Sequence, residues 1–340
     1  MERIVNTWDD IKDLYNVSGL DITLNAIIVC ERAVSWTNTG TRPCTIKGPG
    51  GLRFPAESGP WENGLILNGS GFVVQGITVT ECREAGIRVL ADDVTIVGCT
   101  VKNCGVGIWL EGTRYLVQSN YVSDGVMTVN DTAWNNDFGA IGIKVKTGPG
   151  TIEQNVISNM LAPSYDYGKD GSGIEIYGDK HNVHDVTISD NLFYRVNTGL
   201  ESGTHQQKNT VRNIVFKDNL LYYPMNDEWK NWQFYTLHLG GGSGSFGFPV
   251  DTDGYHFVNN TLYNLDTTNR FLNRAPEAHE LEVAETTLKT GDKTLDDLLN
   301  LLPEEPTEEP VEEPEFVNIV ARLWGFIPLV LSINKKDLIA

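Results

Sequence analysis

Four ionisable residues of different type, Lys144, Glu175, Glu201 and His238, each directly follow a short recurring pair: Gly142-Ile143, Gly173-Ile174, Gly199-Leu200 and Thr236-Leu237. Hydrolysis of a glycosidic bond requires two carboxyl groups, about 5 Å apart for retention or about 6.5 to 9.5 Å for inversion. Glu175 and Glu201 suit the shorter distance, with Asp170 or Asp137 as a more distant partner. β-Elimination from a uronate asks instead for a base, a group that neutralises the sugar carboxylate and an acid for the leaving oxygen. Lys144 or His238 answers for the base, Arg88 or Lys146 for the neutraliser and Tyr177 for the acid. A calcium ion held by Glu175 and Glu201 would replace the neutraliser, since a hard cation prefers oxygen ligands. Because Lys144, Lys146 and Arg88 accompany the acids, elimination stands slightly ahead of hydrolysis. The plain alternative is a solvated sheet face on which Lys144 and Glu175 form an exposed ion pair of little worth.

Aromatic residues accompany these groups. Trp134, Tyr165, Tyr167, Trp229 and Trp232 lie in segments between the recurring pairs. Flat apolar rings beside hydrogen-bonding groups suit sugars, whose rings have apolar faces and polar edges. With Arg88, Trp109, Lys146 and Asp170 they form the expected substrate-binding set.

The elements that must position these residues follow from aligning the chain on itself. One landmark is the Gly-apolar pair, at Gly64-Leu65, Gly86-Ile87, Gly107-Ile108, Gly142-Ile143, Gly173-Ile174 and Gly199-Leu200, with Thr236-Leu237 as a seventh member. The other is Cys99, Asn120, Asn155, Asn191, Asn219 and Asn260, each followed by apolar strand positions. Asparagine tolerates a left-handed turn and its amide bonds local backbone; stacked amides also bond one another. A fixed period of this size marks a solenoid in which each coil covers the next. The shortest coil, Ile87 to Ile108, takes 21 residues, and later coils are lengthened on both sides of the strand that the first landmark opens. Insertions in repeat proteins map to loops on one face, so that strand becomes the floor of a walled groove. Side chains alternate across a strand, which gives an outward file Arg88, Trp109, Lys144, Glu175, Glu201, His238 and a second outward column Glu111, Lys146, Tyr177. At a spacing of about 4.8 Å per coil, Lys144 to His238 spans roughly 15 Å.

The predicted fold is all-β: one right-handed parallel β-helix over 21–275, preceded by a capping helix within 1–20 and followed by a cap region over 276–302. Thr7-Trp8-Asp9-Asp10 reads as a helix N-cap ahead of Ile11, Leu14 and Tyr15, and such a cover protects the open edge of a terminal coil. A Pro/Glu linker over 303–315 leads to an apolar tail over 316–340, read as packing on the coil or joining subunits into a homo-oligomer. Asn318, Arg322 and Pro328 interrupt that tail, which argues against a membrane span.

The net charge of −19 argues against a nucleic-acid partner, which would need clustered Lys and Arg. Seven of the charges are glutamates between Pro303 and Glu315, so −19 less these seven leaves a body near −12. Five cysteines, an odd number, do not form a disulfide framework; Cys82 and Cys104 stack on adjacent coils and read as a buried thiol pair, with a disulfide as the rival. Met1 to Val17 lacks the apolar region of a secretory signal; a cytoplasmic, a virion and an already processed secreted product all stay open, with an extracellular or virion-associated location as the expectation.

From about Asn63 to Asn264, the repeated Gly-Ile strand and Asn-apolar-apolar strand resemble the pectate-lyase-like superfamily of right-handed β-helix proteins. Thr41-Arg42-Pro43-Cys44-Thr45-Ile46-Lys47-Gly48 is similar to the early coil of polysaccharide-lyase-like members. The resemblance implies a β-helix that acts on or binds an extended polysaccharide: as a pectate, alginate or chondroitin lyase, a polygalacturonase-type hydrolase, an epimerase or a phage tailspike. No local catalytic signature of those enzymes occurs here, so the residue roles above rest on position and type.

Overall fold

The structure, a computed structural model, describes residues 2–55, 63–133, 136–177, 183–203, 211–223, 235–239, 255–264, 283–284, 316–323 and 327–334. Short strands succeed one another in a fixed order and pair in parallel with the strand one coil away, forming three long sheets. One bare coil shows the plan: Asp92–Val97 lies in the second sheet, Thr100–Lys102 in the third and Val106–Leu110 in the floor sheet. The third sheet runs through nine strands, from Ile27–Val29 to Thr261–Asn264. The strand Leu65–Gln75 bends through a corner, its first half pairing in the floor sheet and its second half in the second sheet.

The register agrees with the self-alignment at every landmark. In the floor sheet Leu65 pairs with Ile87, Ile87 with Ile108, Ile108 with Ile143, Ile143 with Ile174, Ile174 with Leu200 and Leu200 with Leu237. From Leu65 to Leu200 these inward side chains are all fully buried in one continuous core. Each contributes roughly 1.5–3 kcal/mol relative to exposure, and a column of like residues lets every coil bury the face of the next.

Packing explains why glycine opens the floor strand. A Cβ on Gly86 would meet Val101 Cγ1 at 2.5 Å, one on Gly107 would meet Val122 Cγ1 at 2.3 Å, and one on Gly142 would meet Ile157 Cγ2 at 2.5 Å. The third sheet thus leans its β-branched side chains onto the glycine column, and only the smallest residue leaves room.

The second landmark is an amide ladder. Asn120 Nδ2 donates to Asn155 Oδ1 at 2.9 Å, Asn155 to Asn191 at 2.9 Å, Asn191 to Asn219 at 3.0 Å and Asn219 to Asn260 at 3.0 Å. Each acceptor amide also receives the backbone N–H of the coil before it, beginning with Cys99 N to Asn120 Oδ1 at 2.9 Å. The left-handed residue is not the asparagine itself. It is the one before: Gly98, Ser119, Gln154, Asp190, Asp218 and Asn259, with φ between 50° and 63°.

The expected amino-terminal helix is corrected. Glu2–Val5 is already a strand of the second sheet, paired with Asp21–Leu24, and only the single 3-10 turn Trp8–Asp10 follows. Asp10 Oδ2 accepts the backbone N–H of Thr7 at 2.9 Å, so the N-cap signal is real. The segment must cross the open end of the core within a few residues, too short a span for a stable helix. It covers that end by inserting Ile11 and Val17, both buried. Arg32 Nη2 clamps the crossing, donating to Lys12 O at 2.6 Å and Tyr15 Oη at 3.0 Å.

All five cysteines are buried free thiols, with Cys82 donating to Thr80 O at 3.8 Å and Cys104 to Lys102 O at 3.2 Å. Burial holds the Cys82 thiol well above its ordinary value and pushes Cys30 up to about 12. The tail residues Phe316–Leu323 and Ile327–Asn334 form an antiparallel hairpin with Phe316 opposite Asn334 and Leu323 opposite Ile327. Among the described residues no helix is long and apolar enough to cross a membrane. The Pro/Glu linker and the cap region, apart from Val283–Ala284, lie outside the described residues.

Candidate functional site

The outward file lies in one register. Arg88 pairs with Trp109, Trp109 with Lys144, Lys144 with Glu175, Glu175 with Glu201 and Glu201 with His238. Beside it, the backbone N–H of Lys146 donates to Leu110 O at 2.9 Å and Tyr177 pairs with Gly203, continuing the second column.

Within the file the charges close on each other. Lys144 Nζ lies 2.6 Å from Glu175 Oε1, and each side chain is only 10% exposed. This is the ion pair of the plain alternative, but it is buried rather than solvated. Taking two charges out of water costs several kcal/mol per ion before their attraction offsets it, so fold stability alone does not account for the pair. Arg88 forms a two-pronged contact with Glu111, Nε to Oε2 at 2.7 Å and Nη2 to Oε1 at 3.3 Å, and its Nη1 lies 3.8 Å from Glu84 Oε2. Trp109 stands between the two cations, with Arg88 Cζ 4.7 Å and Lys144 Nζ 5.3 Å from its ring centroid. Phe138, which the sequence analysis missed, adds a second ring 5.6 Å from Lys144 Nζ.

Two insertions stand beside the floor strands on one side. Met127–Val129 pairs with Phe138–Gly139 in the first, and Ala162–Ser164 with Gly168–Asp170 in the second. The two hairpins are stapled reciprocally. Asp137 Oδ2 accepts the Ser164 hydroxyl at 2.7 Å and the Asp166 N–H at 3.0 Å, while Asp166 Oδ2 accepts the N–H groups of Asn136 at 2.7 Å and Asp137 at 3.0 Å. Asn130 adds two more bonds, Nδ2 to Pro163 O at 3.1 Å and Oδ1 from Tyr165 N at 3.0 Å. Burial raises the Asp137 carboxyl, but the donors from Asp166, Ser164 and Asp131 more than offset this and hold it below the ordinary carboxylate value. Tyr165 and Tyr167 stand on the turn of the second hairpin, 69% and 49% exposed.

Asp170 sits where the second hairpin meets the floor. The next residue, Gly171, has φ +142°, and a Cβ there would meet Met160 O at 2.5 Å, so the chain passes through a glycine-only turn into the strand that carries Glu175. Burial, then the charges of Glu201, Glu175 and Asp137, push the Asp170 carboxyl up to about 7, against the pull of the Gly171 N–H. Tyr167 is raised too, by burial and then by Asp170, Asp166, Asp137 and Glu201, which places its hydroxyl in the same electrostatic neighbourhood. The structure thus gathers Lys144, Glu175, Glu201, Asp170, Asp137 and Tyr167 around one end of the floor. Trp134, Trp229 and Trp232, together with most of the opposite set of insertions, lie outside the described residues. Among the described residues no group of three or more His, Cys, Asp or Glu side chains is placed to hold a metal ion.

The family model for the right handed beta helix region matches residues 58–262, more than half of the 340-residue chain. The chain belongs to the right-handed beta helix family. No curated protein sequence matches this β-helix. Among solved structures it is similar in fold to the alginate lyase from Paenibacillus sp. str. FPU-7, with a TM-score of 0.50 and 14% identity over 86% of this chain and 91% of that one. It is also similar to a tailspike protein variant of E. coli bacteriophage HK620 in complex with a pentasaccharide, with a TM-score of 0.51 and 9% identity over 77% of this chain and 49% of that one. At these identities the likeness is one of fold.

Proposed function

We propose that this β-helix hydrolyses glycosidic bonds in an extended polysaccharide lying along the floor sheet, with Asp170 as the general acid and Glu201 as the partner carboxylate. The observation that carries the reading is Asp170 itself: a carboxyl raised to about 7 by burial and by Glu201 beside it retains its proton near neutrality. Two carboxyl groups with environments that push their proton affinities apart form an acid and base assignment. Asp170 gives its proton to the glycosidic oxygen as the C–O bond breaks, and Glu201 either takes a proton from the attacking water or bonds to the sugar carbon itself. Glu175, paired with Lys144 at 2.6 Å, lies in the same acidic neighbourhood and adds to the effect of burial and Glu201 on Asp170. Exposed Tyr165 and Tyr167 on the second hairpin offer sugar rings an apolar face. The fold neighbours support a carbohydrate ligand without favouring hydrolysis, one being an alginate lyase and the other holding a pentasaccharide.

Elimination is the less favoured chemistry because one of its two candidate bases and one of its two candidate neutralisers are already engaged. Lys144 is closed on Glu175 and Arg88 on Glu111. A panel of neutral and uronate polysaccharides distinguishes the cases: new reducing ends without unsaturated-uronate absorbance support hydrolysis, and growth of that absorbance supports elimination. Retained glycan binding with neither signal identifies an attachment protein of the tailspike kind. Asp170→Asn should abolish the release of reducing ends.

A further inference from the structure

The reading of this site as a glycan hydrolase leaves its sugar open, and the pairing of charges along the floor bears on that choice. A groove that grips polyuronate needs cations whose charge faces the substrate, since each anionic sugar must exchange its water for a matching partner. The outward file holds two cations among its described side chains, Arg88 and Lys144. Arg88 is bound two-pronged by Glu111 with Glu84 behind it, and Lys144 lies 2.6 Å from Glu175. Both are satisfied by carboxylates of the protein before any sugar arrives. Further along the file the next described side chain is another acid, Glu201, and the two insertions add Asp137 and Asp170.

We infer that the subsite between Asp170 and Glu201 takes an uncharged sugar unit and rejects a uronate, so that the substrate of this groove is a neutral polysaccharide. Asp170 serves as an internal probe of that field. Although Lys146 and Lys169 belong to the same region, its carboxyl is still disfavoured as an anion, first by burial and then by Glu201, Glu175 and Asp137. A sugar carboxylate brought to the same place meets the same burial and the same three charges. An uncharged ring meets instead hydrogen-bonding carboxylates below and the exposed rings of Tyr165 and Tyr167 at the rim, the mixture that suits a sugar's polar edge and apolar face. Specificity then comes from an unfavourable charge contact against the wrong substrate rather than from added attraction to the right one.

The test uses the full chain and matched polymers: alginate and polygalacturonate, each beside its carboxyl-reduced form, together with neutral glucans, mannans and bacterial O-polysaccharides, compared by affinity electrophoresis and reducing-end release at low salt. The expected result is that carboxyl reduction tightens binding at least tenfold and that reducing ends arise from uncharged polymers only. A uronate polymer bound as tightly as its reduced form, or cut, would overturn the inference while leaving an active groove in place. Neutral binding without any cleavage would uphold it and sink the hydrolase reading instead. Silence across all polymers would overturn both. The double variant Glu84→Gln with Glu111→Gln supplies an independent arm, because it removes both carboxylates that pair with Arg88. This variant should gain affinity for polygalacturonate, and no gain would show that internal pairing is not what excludes uronates.

Discussion

Lys144 and Glu175, on neighbouring strands of the floor, form an ion pair of 2.6 Å from which water is almost excluded. A buried pair is costly to break by halves, since removing one partner strands the other charge. Lys144→Met should therefore destabilise the fold by about 3–5 kcal/mol, whereas Lys144→Met with Glu175→Leu should recover most of that loss. Urea denaturation of the three proteins checks this. An unaltered midpoint in the single variant would mean that the pair opens to solvent.

Asp170 gives two pH dependences of defined sign. As the proton donor it must be protonated, so activity should fall as pH rises through about 7. For stability, the folded value lies above the ordinary 3.8 of an aspartate, so the folded chain holds this proton when the unfolded chain has released it. This contribution favours the fold fully below about 3.8, and it is lost as pH rises to about 7. Asp170→Asn should remove that loss and stabilise the protein at pH 8 by on the order of a few kcal/mol, since each tenfold change in proton affinity corresponds to about 1.4 kcal/mol, while abolishing catalysis. Thermal melts of both proteins at pH 4 and pH 8 read the difference; an equal gap at both pH values would refute it.

Asn155 is an interior rung of the amide ladder, bonded on both sides. Its side chain donates to Asn191 Oδ1 and Val117 O and accepts from Asn120 N and Nδ2. Asn155→Leu leaves several buried polar groups without partners at about 1–3 kcal/mol each, so a loss of about 3 kcal/mol or more is expected. Hydrogen exchange should show the damage concentrated at the corners of the coils carrying Asn120 and Asn191. Uniform loss of protection along the whole solenoid would argue against a ladder that couples only nearest neighbours.

Gly142→Val tests the glycine column. The added side chain begins 2.5 Å from both Gly173 O and Ile157 Cγ2, so overpacking should cost about 1–3 kcal/mol or more. Pairing it with Ile157→Ala should restore part of the loss in a double-mutant cycle. Strict additivity of the two effects would show that the two positions do not touch.

Much of this architecture was legible because stacking forces like residues into like places. Every floor pair from Leu65–Ile87 to Leu200–Leu237 and every rung from Asn120 to Asn260 coincides with the self-alignment. The outward file followed, since strand alternation leaves the residue after each inward isoleucine no other direction. What the sequence did not disclose are relationships outside the period. The N-cap signal at Thr7 foretold a helix because local chemistry says how a turn starts, not how far the tertiary path lets it run. Position alone said that Lys144 and Arg88 face outward and allowed a solvated Lys144–Glu175 pair, but not that this pair would be buried or that Glu111 would claim Arg88. Asp137 and Asp166 bond each other across two insertions of unequal length, so no spacing announces them.

That last relationship bears on how such a protein changes over time. The hairpins around Phe138 and Tyr165 are held chiefly to one another, through Asp137, Asp166 and Asn130. Two loops on successive coils are therefore a single heritable unit. Grafting one of them onto another coiled scaffold would deliver half of that unit and two orphaned carboxylates, so new specificities in this groove should arise by exchanging both loops together.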